Sequence, residues 1–141
     1  MDALNGAVEY GVIGLLAVLS CWACAIGVER WLFYRRVDVT TFGNEHDLEI
    51  ALTRRLVVIG TVAANAPYIG LLGTVLGIML TFHSMGSSKA MAVSAIMVGL
   101  SLALKATAVG LVVAIPCVVL NNVLRRRVSE LLVLHRGRHG T

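Results

Sequence analysis

The stretch Met91 to Leu124 reads M-A-V-S-A-I-M-V-G-L-S-L-A-L-K-A-T-A-V-G-L-V-V-A-I-P-C-V-V-L-N-N-V-L, and a single charged residue, Lys105, stands near its middle. The run is long enough to cross the ~30 Å hydrocarbon core of a bilayer, which takes about 20 helical residues. A charge at the centre of such a span is costly. Either a partner compensates Lys105 or the segment does not cross a membrane, and the rest of the chain decides which.

Working outward, the chain has 141 residues, of which 57% are hydrophobic and 14% charged. A typical soluble domain carries about 25% charged residues. Mean hydropathy is +0.83, and a soluble domain this small has too little interior to hide so much apolar surface. Two more windows are long enough to span: Tyr10 to Val28, closed by Glu29 and Arg30, and Leu56 to Phe82, whose polar residues are Thr61, Asn65, Thr74 and Thr81. The expectation is an all-α integral membrane protein of one domain, 1–141. Its spans fall near 8–34, 56–83 and 90–124, with a short loop 37–55 and a tail 125–141. A cleaved signal peptide is not expected, because acidic Asp2 and Glu9 replace a basic leader and the apolar stretch is too long.

The basic residues are clustered. Arg30, Arg35, Arg36, Arg54 and Arg55 flank the first connection, and Arg125, Arg126, Arg127, Arg136 and Arg138 follow the third window. Only Lys89 lies in the second connection, and no Lys or Arg precedes Arg30. The positive-inside rule then places the N-terminus outside (periplasmic) and the C-terminus in the cytoplasm. Topology accounts for every basic cluster, and the tail lacks the aromatic platform of a nucleic-acid binder, so no nucleic-acid partner is expected.

The first helix is expected to begin near an Asn5 N-cap and to run to Arg36, with Val37 to Gly43 as a turn. The second should start near Asn44, with Glu45, Asp47 and Glu49 at the positive end of its dipole. Leu48, Leu52, Leu56 and Ile59 recur at helical spacing, so one continuous helix should enter the membrane from the cytoplasm and end around His83 to Ser88. Pro67 predicts a kink near Ala63 to Ala66. The third helix is expected from about Ser88 to Leu134, bent at Pro116 and extending into the cytoplasm, with His135 to Thr141 as a frayed tail.

Two segments carry the densest signal. In Ala66 to Phe82, Gly73 and Gly77 form a G-x-x-x-G, and Pro67, Gly70, Thr74, Gly77 and Thr81 step along one helical face. That face is small and hydroxylated. It suits a tight helix contact with hydroxyls bonded to their own backbone, or the polar lining of a pore. In Gly99 to Val119, Thr107, Gly110, Ala114 and Pro116 are again small or hydroxylated, or a helix breaker. Lys105 shares a face with Ser94, Val98, Ser101 and Ala108 and points about 200° away from Thr107.

The segments A-P-Y-I-G-L-L-G-T-V-L-G-I-M, Ala66 to Met79, and A-L-K-A-T-A-V-G-L-V-V-A-I-P, Ala103 to Pro116, resemble the MotA/TolQ/ExbB proton-channel family, nearest its short ExbB form. The resemblance implies an inner-membrane subunit, five copies of which surround the helices of an ExbD-like partner and use proton-motive force to drive a TonB-like protein. By motif position it implies that Thr74 and Thr107 line the proton pathway, with Gly70, Gly73, Gly77 and Gly110 packing helices. Longer members carry a glutamate five residues before the second threonine; Leu102 stands there. The alternatives are a TolQ-like role in outer-membrane integrity and a non-conducting scaffold for partner helices.

No acid of the chain is expected to reach Lys105, since Glu9 and Glu29 lie towards the ends of the first helix. Lys105 then either snorkels to an interface, is neutral through burial, pairs or bonds a carbonyl at a subunit seam, or acts on a carboxylate in the lumen; an acidic group of another subunit is the partner expected. Cys21, Cys24 and Cys117 read as packing residues, and His46, His83, His135 and His139 as surface or tail residues, with His83 at the outer mouth the one to test as a proton acceptor. No metal-ligand spacing, nucleophile–base pair, P-loop or dinucleotide fingerprint is present, so neither an enzyme nor a bound cofactor or metal is expected.

Overall fold

The computed structural model describes residues 2–87 and 93–139. Helix α1 runs Asp2–Arg36, a 3₁₀ turn Val39–Thr41 follows, then α2 Glu45–Thr53, α3 Leu56–Ser87 and α4 Val93–His139. Among the described residues there is no strand. Three helices, α1, α3 and α4, are long and apolar enough to cross a membrane. The closest pairing is α3 with α4, and α1 packs against both.

Two boundaries differ from expectation. Helix α1 already includes Asp2, because Ala3, Leu4 and Ala7 are strong helix formers, so Asn5 lies inside it. The expected start of the last helix at Ser88 lies outside the described residues. Its end lies beyond Leu134: α4 continues to His139, and His135 is buried with its Nδ1 3.0 Å from the Val39 carbonyl. A carbonyl only accepts, so Nδ1 carries the proton. His135 is thus a packed residue that ties α4 to the 3₁₀ turn, not part of a loose tail.

The expected continuous second helix is two helices. The chain turns at Arg54–Arg55, where Arg55 takes φ 64°, a left-handed conformation that a side chain disfavours. The turn is held from α1: Arg55 Nη1 donates to Glu29 Oε2 at 2.6 Å, Arg30 Nη1 donates to the Ala51 carbonyl at 3.1 Å, and the Tyr34 hydroxyl donates to the Leu52 carbonyl. Two of these bonds reach carbonyls in the last turn of α2, which have no partner within the helix. The Leu48, Leu52, Leu56 and Ile59 stripe is as expected, and all four side chains are buried. They meet Ile26, Leu124 and Val128 in one aliphatic cluster. A second cluster lies further along the bundle and is made mostly of smaller side chains, including Ala23, Ala63, Ala66, Ala114 and Cys117. Cys117 packs as expected, whereas Cys21 and Cys24 lie on the exposed face of α1.

Candidate functional site

Glycines set how closely α3 and α4 approach. A Cβ on Gly70 would lie 2.9 Å from the Ala106 carbonyl and 3.0 Å from Thr107 Cα; one on Gly110 would lie 2.8 Å from the Ala66 carbonyl. These neighbours are backbone and cannot swing aside. Gly77 faces Ala103, where a Cβ would meet Cβ at 2.8 Å. Gly73 faces both Ala106 of α4 and Val12 of α1. In a bilayer there is no hydrophobic drive between helices, so close backbone packing supplies the attraction. The small face expected from sequence is the α3–α4 seam. Pro67 and Pro116 sit inside α3 and α4.

Thr74 and Thr107 meet inside this seam, with their hydroxyls in hydrogen-bond contact. Thr74 Oγ1 is 3.0 Å from the Ala103 carbonyl, and Thr107 Oγ1 is 3.2 Å from that of Gly70. Each hydroxyl has one proton to donate. If Thr74 donates to Thr107, then Thr107 donates to Gly70. If Thr107 donates to Thr74, then Thr74 donates to Ala103. The pair therefore has two opposite hydrogen-bond directions with the same heavy-atom positions. Thr74 is buried and Thr107 half-buried, so the pair reaches the rim of the seam.

Lys105 points to a different neighbour, as helical phase requires. Its Nζ donates to Glu9 Oε1 at 2.8 Å. This overturns the expectation that no acid of the chain could reach it. Glu9 does not cap the end of α1, because the helix starts at Asp2 and carries Glu9 in its third turn. The long lysine stem bridges the rest. The Glu9 side chain is 14% exposed and that of Lys105 56%. Glu9 also lines a crevice between α1, α3 and α4, with Gly73, Gly77, Thr81 and Leu102. Its volume of about 30 Å³ has room for one or two waters. The sequence held no signal for this pair, whose members are 96 residues apart.

Among the described residues, no three His, Cys, Asp or Glu side chains gather as a metal site. His83 is exposed near the end of α3.

Three apolar helices with a hydroxyl pair in their seam and an ion pair between two of them define a polytopic membrane protein that carries polar groups among its spans. More narrowly, the MotA/TolQ/ExbB proton channel family matches residues 39–136, and the chain belongs to that family. It is 49% identical over 140 residues to the biopolymer transport protein ExbB of Aquifex aeolicus, covering 99% of this chain and 95% of that one. It is 51% identical over 126 residues to the putative biopolymer transport protein ExbB-like 2 of Helicobacter pylori (strain ATCC 700392 / 26695), covering 89% and 83%. The Tol-Pal system protein TolQ of Haemophilus influenzae is 42% identical over 81 residues, or 57% of this chain and 36% of TolQ.

Proposed function

We propose that this chain is the ExbB-like subunit of an inner-membrane, proton-driven motor. Copies of it, five by family resemblance, surround the helices of an ExbD-like partner and energise a TonB-like protein for uptake across the outer membrane. The N-terminus is periplasmic, and the arginine-rich ends of α1 and α4 are cytoplasmic. The observation that carries the reading is the Thr74–Thr107 hydroxyl pair, which can reverse its hydrogen-bond direction without moving a heavy atom. Such a pair hands on a proton's position without itself titrating. Assembly is supported by Thr61, Asn65 and Tyr68, which stay exposed on α3 at the level of the span, where polar side chains ordinarily face protein or water. Glu9, beside Leu102 in the crevice, supplies the carboxylate that longer family members carry at that position. The relatives matched over nearly their whole length bear the name ExbB, which favours uptake over the TolQ role.

The test is proton flux into liposomes holding the chain with and without an ExbD-like partner. Flux should require both. Thr74→Val and Thr107→Val should each reduce it, because shape is kept and the hydroxyl lost, and Glu9→Gln should reduce it too. Full flux in both threonine variants would remove the relay. No flux in the intact complex would leave the scaffold reading. Co-purification with a TonB-like protein separates the uptake role from the TolQ role.

A further inference from the structure

Where α1 and α4 part near their arginine-rich ends, two recesses join. The first is an apolar groove of about 550 Å³ between Gly27 and Val28 of α1 and Ile115, Val119 and Val123 of α4. That volume lies within the ~300–1,000 Å³ usual for small-molecule sites. Trp31 closes one end of the groove and is also a wall of the second recess, a polar shelf lined by Arg35 and Arg127. The Arg35 guanidinium lies 5.0 Å over the Trp31 ring, which holds it at the mouth of the groove. The Arg127 side chain is 58% exposed, and its Nη1 donates to Glu130 Oε2 at 2.9 Å; Arg126 donates to the other Glu130 oxygen. Two arginines line the shelf, and Glu130 is shared between Arg127 and Arg126, so the shelf keeps a net positive charge.

The sequence of chemistry along this surface is a hydrocarbon trough, then an indole ring, then paired cations. Tryptophan favours the boundary between acyl chains and headgroups, and basic pockets beside spanning helices suit anionic headgroups. A second copy of the chain offers poor complementarity. The acids of α1 and α4 that flank the shelf, Glu29 and Glu130, are both engaged by arginines of their own chain. We propose that the joined groove and shelf bind one anionic phospholipid, with an acyl chain along Val119 and Val28 and the phosphate at Arg35 and Arg127.

Native mass spectrometry of the full-length oligomer, delipidated and titrated with dioleoylphosphatidylglycerol or dioleoylphosphatidylcholine, tests the site. One cation near an anionic lipid surface is worth about fivefold in affinity. The anionic lipid should therefore be retained at least about fivefold better, and the preference should shrink as salt rises. Arg35→Gln with Arg127→Gln should remove the preference, Arg35→Lys with Arg127→Lys should keep part of it, and Val119→Trp should lower retention of both lipids. Equal retention of the two lipids, a preference indifferent to salt, or full displacement by inorganic phosphate would overturn the proposal. So would a Val119→Trp oligomer of altered size with unchanged lipid retention, because a second copy would then occupy the groove.

Discussion

The two ends of the α3–α4 pairing are built on opposite principles. Around Gly70 and Gly110 the helices touch backbone to backbone, with alanines and two threonines beside them. At the α2 end they are held by Leu48, Leu52, Leu56, Ile59 and Leu124, five of the six largest fully buried side chains. The difference follows from the solvent. Within the hydrocarbon a leucine gains little by leaving lipid for protein, so contact distance decides and small residues win. Where the helices emerge into water, each buried leucine is worth about 1.5–3 kcal/mol, and large side chains win. The polar clamps of Arg30, Tyr34 and Glu29 belong to the second regime, where water has to be displaced from α2.

That contrast can be broken at either end. The largest effect is expected at the aqueous end. Leu52→Ala should cost about 3 kcal/mol, read as a lower Tm and faster amide exchange in α2, while exchange at Gly70 to Gly77 stays as it was. If α2 and the seam loosened together, the two regimes would be one. Next comes Gly70→Val, which should cost about 2 kcal/mol in thermal unfolding in detergent, because carbonyl and Cα atoms block the new side chain. Gly27→Ala should cost under about 1 kcal/mol, although its Cβ would meet Leu120 Cδ2, since that leucine can rotate. Equal costs at Gly70 and Gly27 would show that the seam is not limited by backbone.

Thr107→Val sharpens the comparison at smaller scale. Hydrogen bonds between membrane helices average about 0.6 kcal/mol, so the variant should lose roughly that much, and Thr107→Ser should restore it. The smallest effect lies at the aqueous end. Arg136 Nε donates to Glu45 Oε1 at 2.7 Å, and this hydrogen bond holds the Glu45 carboxyl below its usual value. A carboxyl lowered by folding stabilises the fold fully above its ordinary value, and that contribution disappears as pH falls through the lowered one. Amide protection across Val39–Thr53 should therefore weaken on acidification, and Glu45→Gln should flatten the part of that trend due to the pair.

Much of this was legible in the chain. Three apolar windows gave the spans, the spacing of Leu48 to Ile59 gave the buried stripe, and Gly70, Thr74 and Gly77 marked the seam. Each of these is written in local periodicity. The break at Arg54–Arg55 is not, because two arginines are ordinary helix residues; Glu29 on another helix holds the turn. The Glu9–Lys105 pair and the burial of His135 depend likewise on where α1 and the 3₁₀ turn lie against α4. Hydropathy measures depth but not which faces of two helices meet, so Lys105 read as a charge in need of a foreign partner.

The contact of Gly70 with Gly110 has a mechanical consequence. Interlocked leucines resist any change of angle, since tilting one helix drags every knob from its hole. Two rods that touch where neither bears a side chain have a fulcrum instead. Tilting α3 about that point disturbs few sockets at the seam itself, and the leucine-packed end is what resists it. A short lever arm separates the fulcrum from Thr74 and Thr107, so a tilt displaces distant parts of α3 while the hydroxyl pair keeps its contact.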